Sequence, residues 1–436
     1  MSKNQFRPSL FFIIVASLIF ISCNKKEINV VEPTVEVKYK EGRAILYRHG
    51  KPYFIKGAGG SEHLDKVAAY GGNSIRTWSI HDAERILDEA HELGLTVTLG
   101  LEVGRPAWGK DFNYWKFWEV SEKIEELIPI IEKFKDHPAL LMWGIGNEVE
   151  LFGGGKRFLI YYTINRIAKM IKKVDPNHPT MTAIPVPPLK NRIGSFKYIM
   201  PHLDILGYNA FERIHTMYDK IYGKKAWNKA YMLTEWGPTG HWEITDTEWG
   251  APKELSMEEK VALMSKYWNK MNEDSVYFLG SYAFYWGFKY EITHTWFSMF
   301  SEEGLESAQI KYLQSVWSGK TAKNTPPVIS HMSIDPGDKN DNVYLRANET
   351  YFAKVFAHDP DMDSLSYRWE MRKEEYKFYE TGVFQHNMDY FFVNDSGKNV
   401  EFIAPKEEGD YRLFVFVFDG QGNFTSQNIP FYVLKN

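Results

Sequence analysis

Cysteine is almost absent from this chain: Cys23 is the only one in 436 residues. That excludes an internal disulfide and any cysteine-based metal cluster. An excess of positive charge is missing too. The 52 Lys and Arg are set against 56 Asp and Glu, with both signs interspersed and a net charge of −4. A protein that neutralises phosphates needs a basic stripe, so nucleic acid is excluded as a partner. No internal repeat or low-complexity tract occurs, which sets aside repeat architectures. Aromatic residues, by contrast, are plentiful at 16%, with 14 Trp and 26 Tyr. Flat rings fill a packed core, and they also stack on the apolar faces of pyranose sugars. Composition leaves both readings open.

The amino terminus stands apart from the rest. Lys3 and Arg7 precede an apolar run from Leu10 to Ile21 that ends in Ser22-Cys23. The run is too short to span a bilayer as a mature helix and reads as a signal peptide over residues 1–22. A lone cysteine directly after it, followed by Asn24-Lys25-Lys26-Glu27, resembles a bacterial lipoprotein processing site. The expectation is lipidation at Cys23, a tether over 23–33, and a place in the bacterial cell envelope. Membrane contact would be through that lipid alone.

Thr34 to Arg48 alternates around Glu41-Gly42, which predicts a β-hairpin able to cap the bottom of a barrel. From Tyr53 the pattern changes to strands alternating with helices. Strands are predicted at 53–58, 73–78, 95–101, 140–147, 180–184, 203–208, 231–235 and 280–286. The clearest helices are predicted at 81–93, 118–135, 156–174, 257–273 and 306–318. In the first of these, Ile86, Leu87 and Ala90 share one face at helical spacing. Strand–helix units repeated over about 270 residues fit the length of a (β/α)8 barrel. The barrel with its hairpin is therefore placed at 34–320.

Composition shifts after Trp317. Asn324-Thr325-Pro326-Pro327 reads as a linker, and the remaining residues alternate with period two between turns such as Asp419-Gly420-Gln421-Gly422. That predicts a small all-β, immunoglobulin-like sandwich over 326–436. Asp359, Asp361 and Asp363 sit in one of its turns. Calcium favours several carboxylate oxygens, but the spacing is not that of a helix–loop–helix calcium loop. A solvated turn is the simpler reading, and no metal is assigned.

Two strands end on glutamates. Leu140-Leu141-Met142-Trp143-Gly144-Ile145-Gly146 runs into Asn147-Glu148, and Tyr231-Met232-Leu233-Thr234 runs into Glu235. They are the fourth and seventh predicted strands, on opposite sides of a barrel mouth, and catalytic residues collect at the carboxyl ends of barrel strands. Cleaving a glycosidic bond requires one carboxylic acid to protonate the leaving oxygen and one carboxylate to attack or stabilise the anomeric carbon. Glu148 and Glu235 are the candidate catalytic pair. Asn147 can hydrogen-bond a sugar hydroxyl beside the reacting carbon. Arg76, near the end of the second strand, would keep Glu235 ionised, and Tyr208 would donate a hydrogen bond to it. Trp286, ending the last strand, would floor the sugar site. The segment after Glu235 carries His241, Trp242 and Trp249; the one after Trp286 carries Phe288, Tyr290, Trp296 and Phe297. Such rings pack loops or form stacking platforms, and Trp242 is a candidate for sugar contact. Each residue alone has a plain structural reading; their joint placement at strand ends is what points to chemistry.

Trp143-Gly144-Ile145-Gly146-Asn147-Glu148 and Leu233-Thr234-Glu235-Trp236-Gly237 resemble the acid/base and nucleophile strands of the retaining (β/α)8 glycoside hydrolases of clan A. Phe54-Ile55-Lys56-Gly57 and Gly72-Asn73-Ser74-Ile75-Arg76 are most similar to the catalytic domain of glycoside hydrolase family 2. The resemblance covers about residues 45–318. It implies Glu148 as acid/base, Glu235 as nucleophile, support from Arg76, Asn147, Tyr208 and Trp286, and no cofactor. It further implies a retaining β-glycoside hydrolase; the loop rings favour an oligo- or polysaccharide as substrate, a β-glucan or a β-galactoside among them, and a monomer is expected. Family 2 enzymes carry β-sandwich domains before the barrel; here a hairpin precedes it and the sandwich follows. That order is also similar to some bacterial endo-β-1,3-glucanases, of family 158 for instance. Two alternatives stand beside hydrolysis: a glycan-binding lipoprotein without catalysis, and a transglycosylase on the same barrel.

Overall fold

The structure is a computed structural model and describes residues 33–105, 112–151, 157–186, 193–223, 226–374, 388–394 and 396–435. Cys23, the expected signal peptide and nearly all of the tether lie outside the described residues.

Three short strands come first: β1 (Val35–Lys40), β2 (Arg43–Arg48) and β3 (Lys51–Pro52), paired antiparallel around the Glu41-Gly42 turn. The barrel follows. Its strands are β4 (Ile55–Gly59), β5 (Ser74–Arg76), β6 (Thr96–Leu101), β7 (Leu140–Asn147), β8 (Thr180–Pro185), β9 (Ile205–Asn209), β10 (Tyr231–Trp236) and β11 (Phe278–Ala283). They pair parallel in chain order, and β10–β11–β4 closes the ring. Between them lie α1 (Leu64–Ala69), α2 (Ala83–Glu92), α3 (Phe117–Phe134), α4 (Arg157–Val174), the one-turn α5 (Phe196–Ile199) and α6 (Tyr218–Ile221), and α7 (Met257–Met271); α8 (Ala308–Ser318) follows the last strand. Parallel strands covered on both faces must be apolar throughout, and all eight residues of β7 are buried.

The barrel interior is filled in layers. At the amino-terminal end, Val35, Ala44 and Leu46 of the hairpin pack with Ile55, Leu141, Met181, Ile205, Met232 and Leu279. The hairpin is a plug, fastened by Val35 N–H to Asn177 O (2.9 Å) and Ala44 N–H to Val276 O (2.7 Å). Above it lies a polar layer in which the Tyr282 hydroxyl is bonded to Ser74 Oγ (2.9 Å) and Thr98 Oγ1 (2.6 Å). Tyr282 fits because Gly57 stands beside it in the ladder; a Cβ there would lie 2.3 Å from the Tyr282 ring. The top layer holds Arg76, Asn147, Asn209, Thr234 and Glu235, all buried.

The last predicted strand is displaced. The chain leaves the sheet after Ala283, and Trp286 N–H bonds to Gly59 O (2.9 Å) from the loop beyond it. The remaining predicted strands overlap observed ones to within a few residues at each end.

The carboxyl-terminal part is two sheets. One is five-stranded: β12 (Val328–Ile334), β13 (Gly337–Asp338), β15 (Thr350–His358), β17 (Phe392–Asn394) and β18 (Asn399–Ile403). The other has β14 (Val343–Arg346), β16 (Ser366–Lys373), β19 (Gly409–Phe418) and β20 (Phe424–Leu434). Alternating residues of both, Met332, Val355, Trp369, Val400, Leu413 and Phe431 among them, form a separate core.

Sandwich and barrel share a buried polar seam. Glu254 lies 2.6 Å from Lys260 Nζ and accepts from Thr293 Oγ1 (2.7 Å) within the barrel, and from Asn428 Nδ2 (2.7 Å) of β20. Arg412 of β19 pairs with Glu374 and donates to Pro252 O (2.8 Å). Backbone bonds join Glu306 N–H to Gly422 O (2.9 Å) and Phe424 N–H to Glu306 O (3.0 Å). Because Lys260 and Glu254 are both almost fully buried, Glu254→Ala should destabilise the protein by about 3–5 kcal/mol by stranding a buried cation. Denaturant titration of the full chain checks this, and barrel and sandwich signals should unfold in one transition.

Candidate active site

Three strands deliver the charged groups to the mouth. Arg76 ends β5, Asn147 ends β7 with Glu148 next, and Glu235 lies one residue before the end of β10. The β7 terminus is turned sharply: Gly146 has φ +66° and Glu148 φ +50°, a left-handed backbone that non-glycine residues rarely adopt. Glu148 N–H is fastened to Ala183 O at 2.8 Å, which holds this turn and aims the carboxylate at the mouth.

Arg76 is the hub. Its NH1 donates to Glu235 Oε1 (3.0 Å) and Thr234 O (2.7 Å), and its NH2 donates to Asn147 Oδ1 (2.7 Å). Asn147 Oδ1 also accepts from Asn209 Nδ2 (3.0 Å), and the two donors together fix which way round the Asn147 amide sits. Asn209 Nδ2 in turn donates to Glu148 Oε1 (2.9 Å), while its own Oδ1 accepts from Thr234 Oγ1 (2.8 Å). The two carboxylates are thus joined by a hydrogen-bonded chain, Glu235–Arg76–Asn147–Asn209–Glu148.

The carboxylates differ in their surroundings. Glu235 Oε1 accepts two charge-favouring donors, Arg76 NH1 and Trp78 Nε1 (2.8 Å). Glu148 is pushed up to about 7, first by burial and then by the Glu235 charge; the Asn209 hydrogen bond, Arg105 and Arg76 oppose the shift. Arg105 NH2 stands 3.8 Å from Glu148 Oε2. Glu150, two residues on, is pushed up to about 8, chiefly by burial, so it adds little charge near neutrality.

Two expected contributors lie elsewhere. Tyr208 does not reach Glu235: it is fully buried, its hydroxyl has no hydrogen-bond partner among the described residues, and its ring meets Tyr231 edge-on at 6.0 Å. Side chains alternate across a strand, so Asn209, one residue later, is the one that faces the mouth. Trp286 does not floor the site either. It stacks on Trp317 (5.5 Å) and packs against Phe300 (5.3 Å), behind the strand ends. The ring beside Glu235 is instead the half-buried Trp78, with the Arg76 guanidinium 5.2 Å from its centroid and Tyr285 stacked at 5.9 Å. Asn209 could have been read from a polar residue closing an apolar strand, and Trp78 from the strand that carries Arg76. Arg105 sits on a loop and had no signal.

Of the rings noted in the loops, Trp296 and Phe297 are buried, and Trp249 packs on Tyr344 (5.3 Å) of the sandwich. Trp242 is 49% exposed. It meets Phe211 at 5.5 Å, and Phe211 reaches Trp78 through Phe284. It is therefore a free aromatic face on the rim, continuous with the ring beside Glu235.

Comparison with known proteins gives a family and a fold. Residues 67–307, more than half of the chain, match the family described as glycosyl hydrolases family 2, TIM barrel domain. The chain is similar to the β-glucuronidase of Bifidobacterium dentium, at a TM-score of 0.51 and 17% identity over 66% of this chain and 49% of that one. It is similar to a mutant of Bacteroides uniformis β-glucuronidase 2, at 0.50 and 14% over 92% of this chain and 48% of that one. An uncultured Clostridium sp. β-glucuronidase matches at 0.50 and 18%, over 66% and 54%. At these identities the likeness bears on the fold. The chain spans about half the length of these solved structures.

Asn209 stabilises the Glu148 anion, so Asn209→Leu should raise the Glu148 pKa further. For Glu148 as the expected general acid, activity falls as pH rises through its pKa, so the alkaline limb of kcat/KM should move to higher pH in the variant. Arg76→Met should lower kcat on the order of 10²-fold, the usual cost of misplacing a reacting group by ~1 Å. Steady-state kinetics across pH checks both.

Proposed function

The chain belongs to glycosyl hydrolase family 2, and from that premise we propose that it is a retaining β-glycoside hydrolase acting on an oligo- or polysaccharide. One observation carries the reading: the chain from Glu235 through Arg76, Asn147 and Asn209 to Glu148 ties two carboxyls of opposite disposition to one mouth. Glu235, backed by Arg76 and Trp78, attacks the anomeric carbon as a carboxylate. Glu148, protonated below about pH 7, gives its proton to the departing glycosidic oxygen. A covalent glycosyl ester on Glu235 results. Glu148, now a base, takes a proton from water; the water oxygen attacks the anomeric carbon, the ester bond breaks, and the Glu235 carboxylate is restored. In this reading Asn147 hydrogen-bonds the hydroxyl next to the reacting carbon.

An extended substrate is supported by rings at the mouth. Trp242 on the β10–α7 loop, and Trp115, Phe117 and Trp118 at the start of α3, are all exposed. Helices that follow barrel strands begin at the same end as the site, so these rings stand where further sugars would stack. We also propose that Cys23 is lipidated and holds the enzyme at the cell envelope, on the sequence pattern around it. Mass spectrometry of protein from membranes would read the acyl mass, and Cys23→Ala should release it.

The roles are tested by substitution. Glu235→Gln should abolish turnover and leave sugar binding largely intact. Glu148→Ala should slow substrates with poor leaving groups by about 10²–10⁴-fold and activated aryl glycosides much less. Azide should rescue Glu148→Ala and give a β-glycosyl azide. Azide on Glu235→Ala should give the α-azide; an α-azide from Glu148→Ala, or a β-azide from Glu235→Ala, would exchange the two roles. A panel of aryl β-glucosides, β-galactosides and β-glucuronides, with β-glucans beside it, identifies the sugar.

A further inference from the structure

In the sandwich, the turn after β15 and the turn after β19 bring three carboxylates together. One oxygen each from Asp359, Asp363 and Asp419 lies within 4.8 Å of the others. Among the described residues, no Lys or Arg forms an ion pair with any of them. We propose that these three residues bind a single calcium ion that locks the linker to the sandwich.

The cluster is prepared from within. Asp359 is only 9% exposed. Its Oδ1 accepts the backbone N–H groups of Asp361 (2.8 Å) and Asp363 (3.1 Å), which fixes the carboxylate. Its Oδ2 is buried with no hydrogen-bond partner among the described residues. A buried carboxylate oxygen without a donor is costly, and a cation bound among the three carboxylates supplies what it lacks. Asp419 is 3% exposed and equally fixed. Its Oδ1 accepts from Gln421 N–H (2.7 Å) and Asn423 N–H (3.0 Å), and its Oδ2 from Asn324 Nδ2 (2.7 Å) and Asn423 Nδ2 (2.6 Å). Those four donors occupy the lone-pair positions of Asp419, so it serves the ion as a fixed negative charge beside Asp359 Oδ2 and Asp363.

The donor set decides the metal. It is oxygen alone, with no His or Cys, which selects a hard cation over zinc or copper. The ligands come from two separate turns and not from a regular octahedral cage. Calcium accepts such irregular geometry, whereas magnesium demands near-ideal octahedra and gives up water reluctantly.

The ion would act on the junction. Asn324 of the linker is bonded to Asp419, and Thr325 N–H donates to Asp361 Oδ2 at 2.6 Å. Linker, β15–β16 turn and β19–β20 turn therefore meet at one point. The site is independent of the catalytic reading, since the hydrogen bonds of its carboxylates go to linker and turn residues and not to the charged layer of the barrel.

The test uses the full chain, stripped with chelator and titrated with calcium chloride by calorimetry and thermal melting. One calcium per chain is expected, with Kd on the order of 10⁻⁴ M as in extracellular calcium modules, and a Tm that rises with calcium concentration. Asp363→Asn should weaken binding at least tenfold and remove the calcium-dependent rise. It should also raise the Tm of the stripped protein, because it relieves carboxylate repulsion; a merely structural aspartate would lower it. Asp359→Asn provides a second variant with the same expected loss of binding. Absence of heat and of a Tm change at millimolar calcium overturns the proposal, as does unchanged affinity in Asp363→Asn. An equal response to magnesium overturns the choice of calcium.

Discussion

A single buried cation organises the mouth of this barrel. Arg76 is 2% exposed and is held in the plane of its own hydrogen bonds by Glu235, Thr234 and Asn147. A guanidinium presents donors in a fixed fork, so it can face two partners at set angles where an ammonium could not. Burying it is unfavourable unless its charge is answered, and Glu235 answers it. The consequence is electrostatic asymmetry. Arg76 pairs with Glu235, and burial followed by the Glu235 charge pushes the Glu148 pKa up to about 7. The two glutamates are set apart by environment, although both stand at strand ends, and the proposed roles of acid and nucleophile rest on that difference.

That arrangement depends on a rigid support. Below the charged layer is a polar layer centred on the Tyr282 hydroxyl, and below that the apolar plug supplied by the amino-terminal hairpin. Each layer fills the barrel at its level, so Arg76 stands on packed side chains and not on a cavity. Gly57 makes the polar layer possible by leaving room for a ring in the lumen. The sandwich adds a second support. Its β20 reaches Glu254 of the β10–α7 connection through Asn428, so the loop carrying Trp242 is braced from outside the barrel.

The strand ends were legible because they obey strong rules. A run as apolar as Leu140–Ile145 can only be buried on both faces, and a carboxylate directly after it can only be at the rim. The same rule separated Glu235 from Met232 and Leu233. The resemblance to clan A rested on these segments, and the family 2 match spans them; of the two segments most similar to family 2, the match covers Gly72–Arg76 and begins after Phe54–Gly57. Ambiguity entered where two adjacent residues both looked suitable. Tyr208 and Asn209 close β9 side by side, and a shift of one residue sends a side chain to the opposite face of the sheet. The aromatic residue went outward into the helical layer and the amide inward to Glu148. Trp286 and Trp78 differ in a similar way: the chain leaves the sheet at Ala283, three residues before Trp286, while Trp78 lies two residues beyond Arg76, the end of β5.

The sequence by itself therefore determined the order of strands and helices, the change to an all-β module, and which carboxylates terminate barrel strands. These follow from periodicity and burial, which are local properties of the chain. Only the tertiary structure decided the partners. Arg76 meets Asn147 across 71 residues of sequence, Asn209 meets Glu148 across 61, and Asn324 meets Asp419 across 95. Hydrogen bonds and charge interactions act over a few ångströms in space whatever the separation along the chain. Their pairing is set by how the barrel closes and how the sandwich docks, and no local pattern records it.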